Sequence, residues 1–589
     1  MNDYFYNDLQ EGNMSFKNRK KNYPLYQTTQ FSNFREMVEN VADRYPDKVA
    51  FQYKLDPKVK EASKITFNEC RDFVRALSTE LHSMNLEDKT VAIIGGASVD
   101  WFMSYLSIMN VGAVSVPIDK DLPVSDIASI INTAKCEYIF FASDLAEKIK
   151  AVCAEAPVVS TLVSMCGTVD GAVALADLRK AGTKKFADGD KTYFTYPINN
   201  EKLSSIVFTS GTTGQGKGVM LSIKNICSDM EQGMYNFQIT ERTLFALPPH
   251  HTFGSTVNFV GHFAQGCEVY ISSGLRYIME ELKTFKPTHL ILVPLFVETF
   301  YKRIMAGAEK AGSLDKLNNG IKVSNRLRKV GIDMRAKLFG QSVLSNFGGE
   351  LKMIICGGAA LNQSIIDFFE SIGVVILNGY GITECAPLIS CNRNECRKKG
   401  SVGMPIIGGK VKIDAPNEKG EGEICYKGPN VMRGYFENPE ATAAAIDADG
   451  YFHTGDIGYV QVIDGDQWLY ITGRIKNLII LSNGKNVYPE ELECDIQGVW
   501  GVNEVVVYQG VCKNNPEKEL IVAEIYPDYE GFKAKGIEDI RGYFAKEIKK
   551  INDKNVAYKF IGRVKLRTEE FPKNTSRKIT RFKIDKTVD

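Results

Sequence analysis

At 589 residues the chain is too long for one hydrophobic core, so at least two domains are expected, the larger of them subdivided. Apolar residues make up 44%, charged residues 24%, and the formal net charge is +1, which excludes wholesale disorder and a chain-wide charge for nucleic acid. Thirteen cysteines without paired CxxC spacing read as reduced thiols of a cytoplasmic protein, and the cluster Cys385, Cys391 and Cys396 lacks a fourth ligand for zinc.

The opening stretch, MNDYFYNDLQEGNMSFKNRKKNY, is charged throughout and has no apolar run of signal-peptide type, so residues 1–30 read as an extension without a secretory signal. No run of about 18 uncharged apolar residues occurs, which argues against a bilayer span and leaves peripheral contact with a membrane surface open. From Phe31 to about Asn200, helical and strand periods alternate. In SVDWFMSYLSIMNVGAVSVPID, Ser98 is placed to cap a helix whose Trp101, Phe102, Tyr105, Leu106 and Met109 share a face. Gly112 ends that helix, and AVSVPI follows as a buried strand. TVAIIGG and YIFFASD, on either side, also read as strands, the layout of a wound α/β sheet whose ligands sit beyond the strands' carboxyl ends.

A second wound region is expected from about Ser204 to Glu395, with SSIVFTS, HLILVP, MIICGG and VVILNGYG as its strands. A basic helical segment, roughly Tyr301 to Gly349, interrupts it and exceeds an ordinary crossover. Gly400 to Gly473 alternates short strands with Gly, Pro and Asp turns, a β-rich subdomain. EVVVYQG, LIVAEIY and the helical IEDIRGYFAKEIKKI then form a small α+β domain beyond a boundary near Lys476. The fold class is α/β: residues 31–475 form a large domain of two wound α/β subdomains plus the β-rich one, and residues 476–589 form the small α+β domain.

SGTTGQGKGV, from Ser210 to Val219, satisfies GxxxxGK, yet Gly218 stands where a P-loop needs a hydroxyl for magnesium. Lys217 is followed by the strand-like GVMLS, and the next helix is expected to start only at Ser222, its N-cap. The order is therefore strand, glycine-rich loop, strand. Gly211, Gly214, Gly216 and Gly218 let backbone amides wrap an anion, and Thr209, Ser210, Thr212 and Thr213 add hydroxyl donors. A Gly/Ser-rich hairpin turn is the competing reading.

FTSGTTGQGKGVMLS resembles the phosphate loop of the adenylate-forming superfamily, which includes acyl- and aryl-CoA synthetases, peptide-synthetase adenylation domains and luciferases. LPPHHTFG, GGAAL, NGYGITE, YFHTGDIG, GRIKNLIILSNGKNVYPEELE and FPKNTSRKITR follow in that superfamily's order. The resemblance implies ATP, Mg2+ and CoA. It places magnesium on Thr209 and Glu384, with Ser210, Gly211, Thr212, Thr213, Gly214 and Lys217 around the phosphates. Tyr380, between Gly379 and Gly381 in the run from Asn378 to Thr383, would lie against adenine, with Gly357, Gly358 and Ala359 lining the other side. Asp456 would accept the ribose hydroxyls, and Arg474 would read ribose and phosphate. On local grounds Asp456 reads as a turn residue and Glu384 as a solvated acid at a helix start; the motif order favours the site.

Lys578 is similar to the superfamily's adenylation lysine, which bridges the acid's carboxylate and the α-phosphate. Arg577 stands where a glycine is usual, and Asn574 where a threonine is. Lys476 matches the pivot about which the small domain swings, presenting first Lys578 and then a face with Ser482, Asn483 and Gly484; an ordinary linker lysine is the alternative. His251 aligns with a histidine bordering the acyl tunnel of acyl-CoA synthetases, against a satisfied core histidine, and His453 reads as structural. No acid near LPPHHTFG awaits an amino group, and RAKLFGQSVLSNFGGELKMIICGGAAL resembles the long-chain group. The expected activity is a medium- to long-chain fatty acid:CoA ligase. An acyl-carrier-protein synthetase or an aryl-CoA ligase is the same-chemistry alternative. From Arg541 onward there are 15 Lys/Arg against 6 Asp/Glu. Without aromatic stacking residues this reads as a solvated face that attracts ATP and CoA phosphates, not nucleic acid. An ATP-switched membrane- or nucleic-acid-binding protein is the alternative of another class.

Overall fold

The computed structural model describes residues 26–209, 216–482, 485–513, 520–573 and 579–588. Among these, the strands form an eight-stranded sheet, a nine-stranded sheet, two four-stranded sheets and a two-stranded hairpin. The large N-terminal domain holds the two big sheets and one of the four-stranded sheets, and a smaller C-terminal domain holds the other.

The first sheet is built as expected. Ser98 caps the helix Val99–Asn110, its side chain accepting from the Trp101 amide at 3.1 Å, a cap of about 1 kcal/mol. This helix is buried on every side apart from Asp100, because it lies between the two big sheets: Phe102 stacks on Phe259 at 4.3 Å and Phe51 on Phe102 at 5.6 Å. The five apolar residues read as one face are therefore part of a surface buried all round, which also takes in Ser104, Ser107 and Asn110. Gly112 ends the helix at φ +76°, and Val114–Ile118 runs wholly buried between the strands Thr90–Ile94 and Leu203–Thr209.

The assignment of strands to the two regions needs a correction. SSIVFTS belongs to the first sheet, where Leu203–Thr209 runs parallel to Val114–Ile118. Conversely, Val49–Tyr53 crosses into the second sheet and pairs in parallel with Glu268–Ile271, Phe51 opposite Val269. Short apolar runs buried on both faces fit either sheet, so their composition carries no address. The other three strands, His289–Leu292, Met353–Cys356 and Val375–Gly381, lie side by side in the second sheet as read.

The basic segment forms the helices Pro294–Lys310, Leu314–Lys329 and Arg335–Phe339. The first supports the C-terminal domain: Lys302 Nζ donates to the Val502 carbonyl at 3.1 Å, and Glu309 pairs with Lys535 at 3.1 Å. Asn362 Nδ2 adds a bond to the Cys494 carbonyl at 2.7 Å. The β-rich sheet joins Lys410–Asp414, Gly422–Lys427, Phe452–Ile463 and Asp466–Arg474 in that order. In the C-terminal domain, Val502–Cys512 and Leu520–Pro527 pair in antiparallel, with the helix Ile540–Asn552 against their apolar face. All 13 cysteines are free thiols, as expected. Among the described residues no helix is long and apolar enough to cross a membrane.

Candidate active site

The strand Leu203–Thr209 and its antiparallel neighbour Lys217–Ser222 flank the glycine-rich loop, with Thr209 opposite Lys217 in register. The helix after them starts with Ser222 as N-cap, so the order strand, loop, strand holds and a P-loop does not. Thr209 Oγ1 donates to the Lys217 carbonyl at 3.4 Å. Lys217 Nζ lies 4.7 Å from the centre of the Tyr435 ring, and the Tyr435 hydroxyl donates to Glu384 Oε1 at 2.8 Å. Tyr435 reaches this position because Gly434–Tyr435 adds an edge strand beside Val219 and Met220. Lys217, Tyr435 and Glu384 thus form one polar group beside the strands that flank the glycine-rich loop, with Thr209 bonded to the Lys217 backbone.

Glu384 is 8% exposed and sits in the tight turn Thr383–Cys385, so the solvated-acid alternative is ruled out. Burial raises its pKa, opposed by the Tyr435 hydrogen bond and by the charges of Arg474 and Lys217. The turn is braced from below. Asn430 Nδ2 donates to the Cys385 carbonyl at 2.7 Å and to Asp229 Oδ1 at 3.0 Å, and Asp229 also accepts from the Leu388 amide at 2.8 Å. The Met432 amide holds the Glu384 carbonyl at 2.7 Å.

At the other end, Asp456 is 5% exposed and lies within the strand Phe452–Ile463, which corrects the local reading of a turn residue. Its Oδ2 accepts from the Tyr380 hydroxyl at 2.7 Å and its Oδ1 from Arg474 Nε at 2.5 Å. Asp456 and Arg474 are direct cross-strand partners. Burial, reinforced by the Asp456 charge, pushes the Tyr380 phenol up, so it stays a donor. Arg474 also acts electrostatically on Glu384, which joins the two ends into one site.

Backbone loops close the space between them. Asn378, Gly379, Tyr380 and Gly381 end the strand Val375–Gly381, and a Cβ on Gly381 would meet the Pro387 carbonyl oxygen at 2.2 Å, so glycine is required there. Gly357, Gly358 and Ala359 leave the neighbouring strand Met353–Cys356. Gly357 lies against the Phe253 ring and the Gly379 carbonyl, which brings these two loops together. Phe253 begins a π-helical stretch, Phe253–Val260, and His251 stands just before it, half-buried, its carbonyl accepting from the Gly254 and Ser255 amides at 2.8 Å. The His251 and His250 rings are 4.2 Å apart, and His250 Nε2 lies 3.5 Å from Asp119 Oδ2. Lys476 lies exposed in the turn Ile475–Asn477, two residues beyond Arg474.

Ser210, Gly211, Thr212, Thr213 and Gly214 lie outside the described residues, as do Asn483, Gly484, Asn574, Arg577 and Lys578. The sequence reading missed Tyr435, Asp229 and Asn430. Their signal is weak: a tyrosine in RGYF, and two polar residues that meet only across 201 positions of chain.

The chain is similar to several known proteins. A long-chain-fatty-acid--CoA ligase, FadD15 of Mycobacterium bovis, is 27% identical over 481 residues, covering 78% of this chain and 77% of that one. A chloroplastic long-chain-fatty-acid--[acyl-carrier-protein] ligase, AEE15 of Arabidopsis thaliana, is 27% identical over 522 residues, covering 77% and 71%. The ATP-bound crystal structure of MatB from Rhodopseudomonas palustris has the same fold, with a TM-score of 0.71 at 24% identity over 93% of this chain and 97% of that one. The AMP-binding enzyme family matches residues 38–436, a span that holds the glycine-rich loop, both strand-end loops, Glu384 and Tyr435. On that match the chain belongs to the AMP-binding enzymes.

Proposed function

We propose that this chain is an ATP-dependent fatty acid:CoA ligase. In the first step a carboxylate oxygen attacks the α-phosphorus of ATP, the bond to the β-phosphate breaks, and acyl-AMP and pyrophosphate form. In the second, the CoA sulfur attacks the acyl carbon, AMP leaves, and the thiol proton passes to solvent. The observation that carries the reading is the shared site itself: two carboxylates, two cations and two phenols at the mouths of strands from three sheets, linked through Arg474.

In this reading the residues take the roles that the family resemblance implies. Lys217 and the glycine-rich loop hold the outer phosphates, Asp456 takes the ribose hydroxyls, and Tyr380 with the Gly357–Ala359 turn flanks the base. One buried carboxylate with a nearby hydroxyl is a donor set that fits a hard cation keeping water and phosphate oxygens, so Glu384 and Thr209 would hold magnesium. That ion supplies charge neutralisation on the phosphates when bound. Residues 31–475 form the adenylating domain and residues 476–589 the small mobile domain. Lys476 is its pivot and Lys578 the cation brought to the α-phosphate in the first step. The FadD15 and AEE15 names support a long-chain acid, and His251 borders its chain.

A second reading, transfer to an acyl carrier protein, is favoured by the AEE15 likeness. A screen of acids by pyrophosphate release tests the first step, and acceptor-dependent AMP release with CoA or carrier protein separates the two readings. Release of pyrophosphate with no acid from any class would overturn both.

A further inference from the structure

Asp456 is aimed by an irregularity in its strand. Glu423 pairs with Ile457 and Cys425 with His453, so Thr454, Gly455 and Asp456 stand opposite the single residue Ile424. An enlarged bulge of this kind re-aims a side chain, and it needs holding. Gly455 takes φ +70° to make the bend. Glu423 holds it: Oε1 accepts from the Gly455 amide at 2.9 Å, and Oε2 lies 2.8 Å from His453 Nδ1. The Thr454 hydroxyl donates to the Ile424 carbonyl at 2.7 Å and accepts from the Asp456 amide at 3.1 Å. On its far side His453 Nε2 lies 3.7 Å from Asp447, which Lys412 binds at 2.7 Å.

Glu423, Cys425 and His453 also bring their donor atoms within 4.8 Å of one another, a spacing open to a metal ion. Two facts favour a brace instead. Both Glu423 oxygens already have partners. Cys425 Sγ lies 3.4 Å from the same His453 Nδ1 that faces Glu423, and burial, with Glu423 adjacent, pushes its thiol up to about 12.

We propose that Glu423 is a positioning residue for nucleotide binding: its carboxylate, oriented by His453, pins the Gly455 amide and so points Asp456 at the ribose hydroxyls. This rests on the role given to Asp456 above. The test compares ATP with 2′,3′-dideoxy-ATP, which lacks the groups Asp456 would read, by calorimetry on the full chain. Glu423→Ala should weaken ATP about tenfold and leave the dideoxy nucleotide within about twofold, the value of one charge-assisted hydrogen bond. Glu423→Gln, whose amide oxygen still accepts from Gly455, should restore ATP to within about threefold of wild type. His453→Ala should show the same selective loss at about threefold, and serves if Glu423→Ala does not fold. Unchanged ATP affinity in these alanine variants, or equal loss for both nucleotides, overturns the proposal. Equal affinity of the wild-type chain for the two nucleotides overturns the reading of Asp456 itself, and this proposal with it.

Discussion

The two ends of the site hold carboxylates that are equally buried and differently partnered. Asp456 has a guanidinium on one oxygen, fixed by strand register, and on the other a phenol that reaches it from the nine-stranded sheet. Glu384 has a neutral phenol, while Lys217 and Arg474 act on it through space, and burial pushes its pKa up. A carboxylate already paired is preorganised for exchanging hydrogen bonds with neutral hydroxyls. A buried carboxylate short of direct positive charge gains most from a cation arriving with the substrate. The Asp456 end and the Glu384 end thus suit different ligand chemistry, ribose and metal-bound phosphate in the proposed function, although each is one acidic residue in a glycine-containing motif.

That comparison can be broken from either side. The largest expected effect belongs to the first half-reaction. Lys578→Ala should lower acyl-AMP formation by about 10²–10³-fold while transfer from supplied acyl-AMP to CoA proceeds; single-turnover assays of each step separate the two. Equal loss in both would remove the swinging domain from the account. Glu384→Gln should reduce adenylation by about 10²-fold and show its defect in the magnesium dependence, with ATP affinity in the absence of metal changed little. Asp456→Asn should do the reverse, weakening ATP by about tenfold and leaving the magnesium dependence in place. If both variants alter the same parameter, the two ends do not have separate roles.

Tyr435→Phe sharpens the phosphate end. Without its hydroxyl Glu384 loses its donor, and half-maximal activity should need about threefold more magnesium at unchanged acid KM. A separate effect, on stability and not on activity, lies away from the site, in the pair His262 and His289, fully buried with their Nε2 atoms 2.6 Å apart. Burial lowers both, His262 to about 4 from 6.5. The unfolded chain therefore binds more protons below pH 6.5, and the stability present above that pH is lost as pH falls toward about 4. Thermal unfolding should drop on going from pH 7 to pH 5, by at most about 1.4 kcal/mol per pH unit per histidine, and His262→Gln with His289→Gln should flatten the slope.

Much of this is legible in the sequence alone. The Ser98 and Ser222 caps, the strand on each side of the glycine-rich loop, and the motifs carrying Glu384, Tyr380, Asp456 and Arg474 are local patterns whose meaning depends on a few neighbours. What is not legible is long-range. Val49–Tyr53 and Leu203–Thr209 exchange sheets because both are short apolar strands, and only the register of Phe51 on Val269 and Ser115 on Ser205 distinguishes their hosts. Tyr435 is ordinary until its edge strand sets it over Lys217. Glu423 and His453 look like strand residues until the bulge at Gly455 shows what they hold.

The central claim is that an acid displaces the two outer phosphates of ATP. Isotope exchange of labelled pyrophosphate into ATP, measured with magnesium and fatty acids in the absence of CoA, tests it most directly. The account predicts exchange that depends on the acid and is lost in Lys578→Ala. ADP and inorganic phosphate as the nucleotide products, with no exchange under any acid, would contradict it.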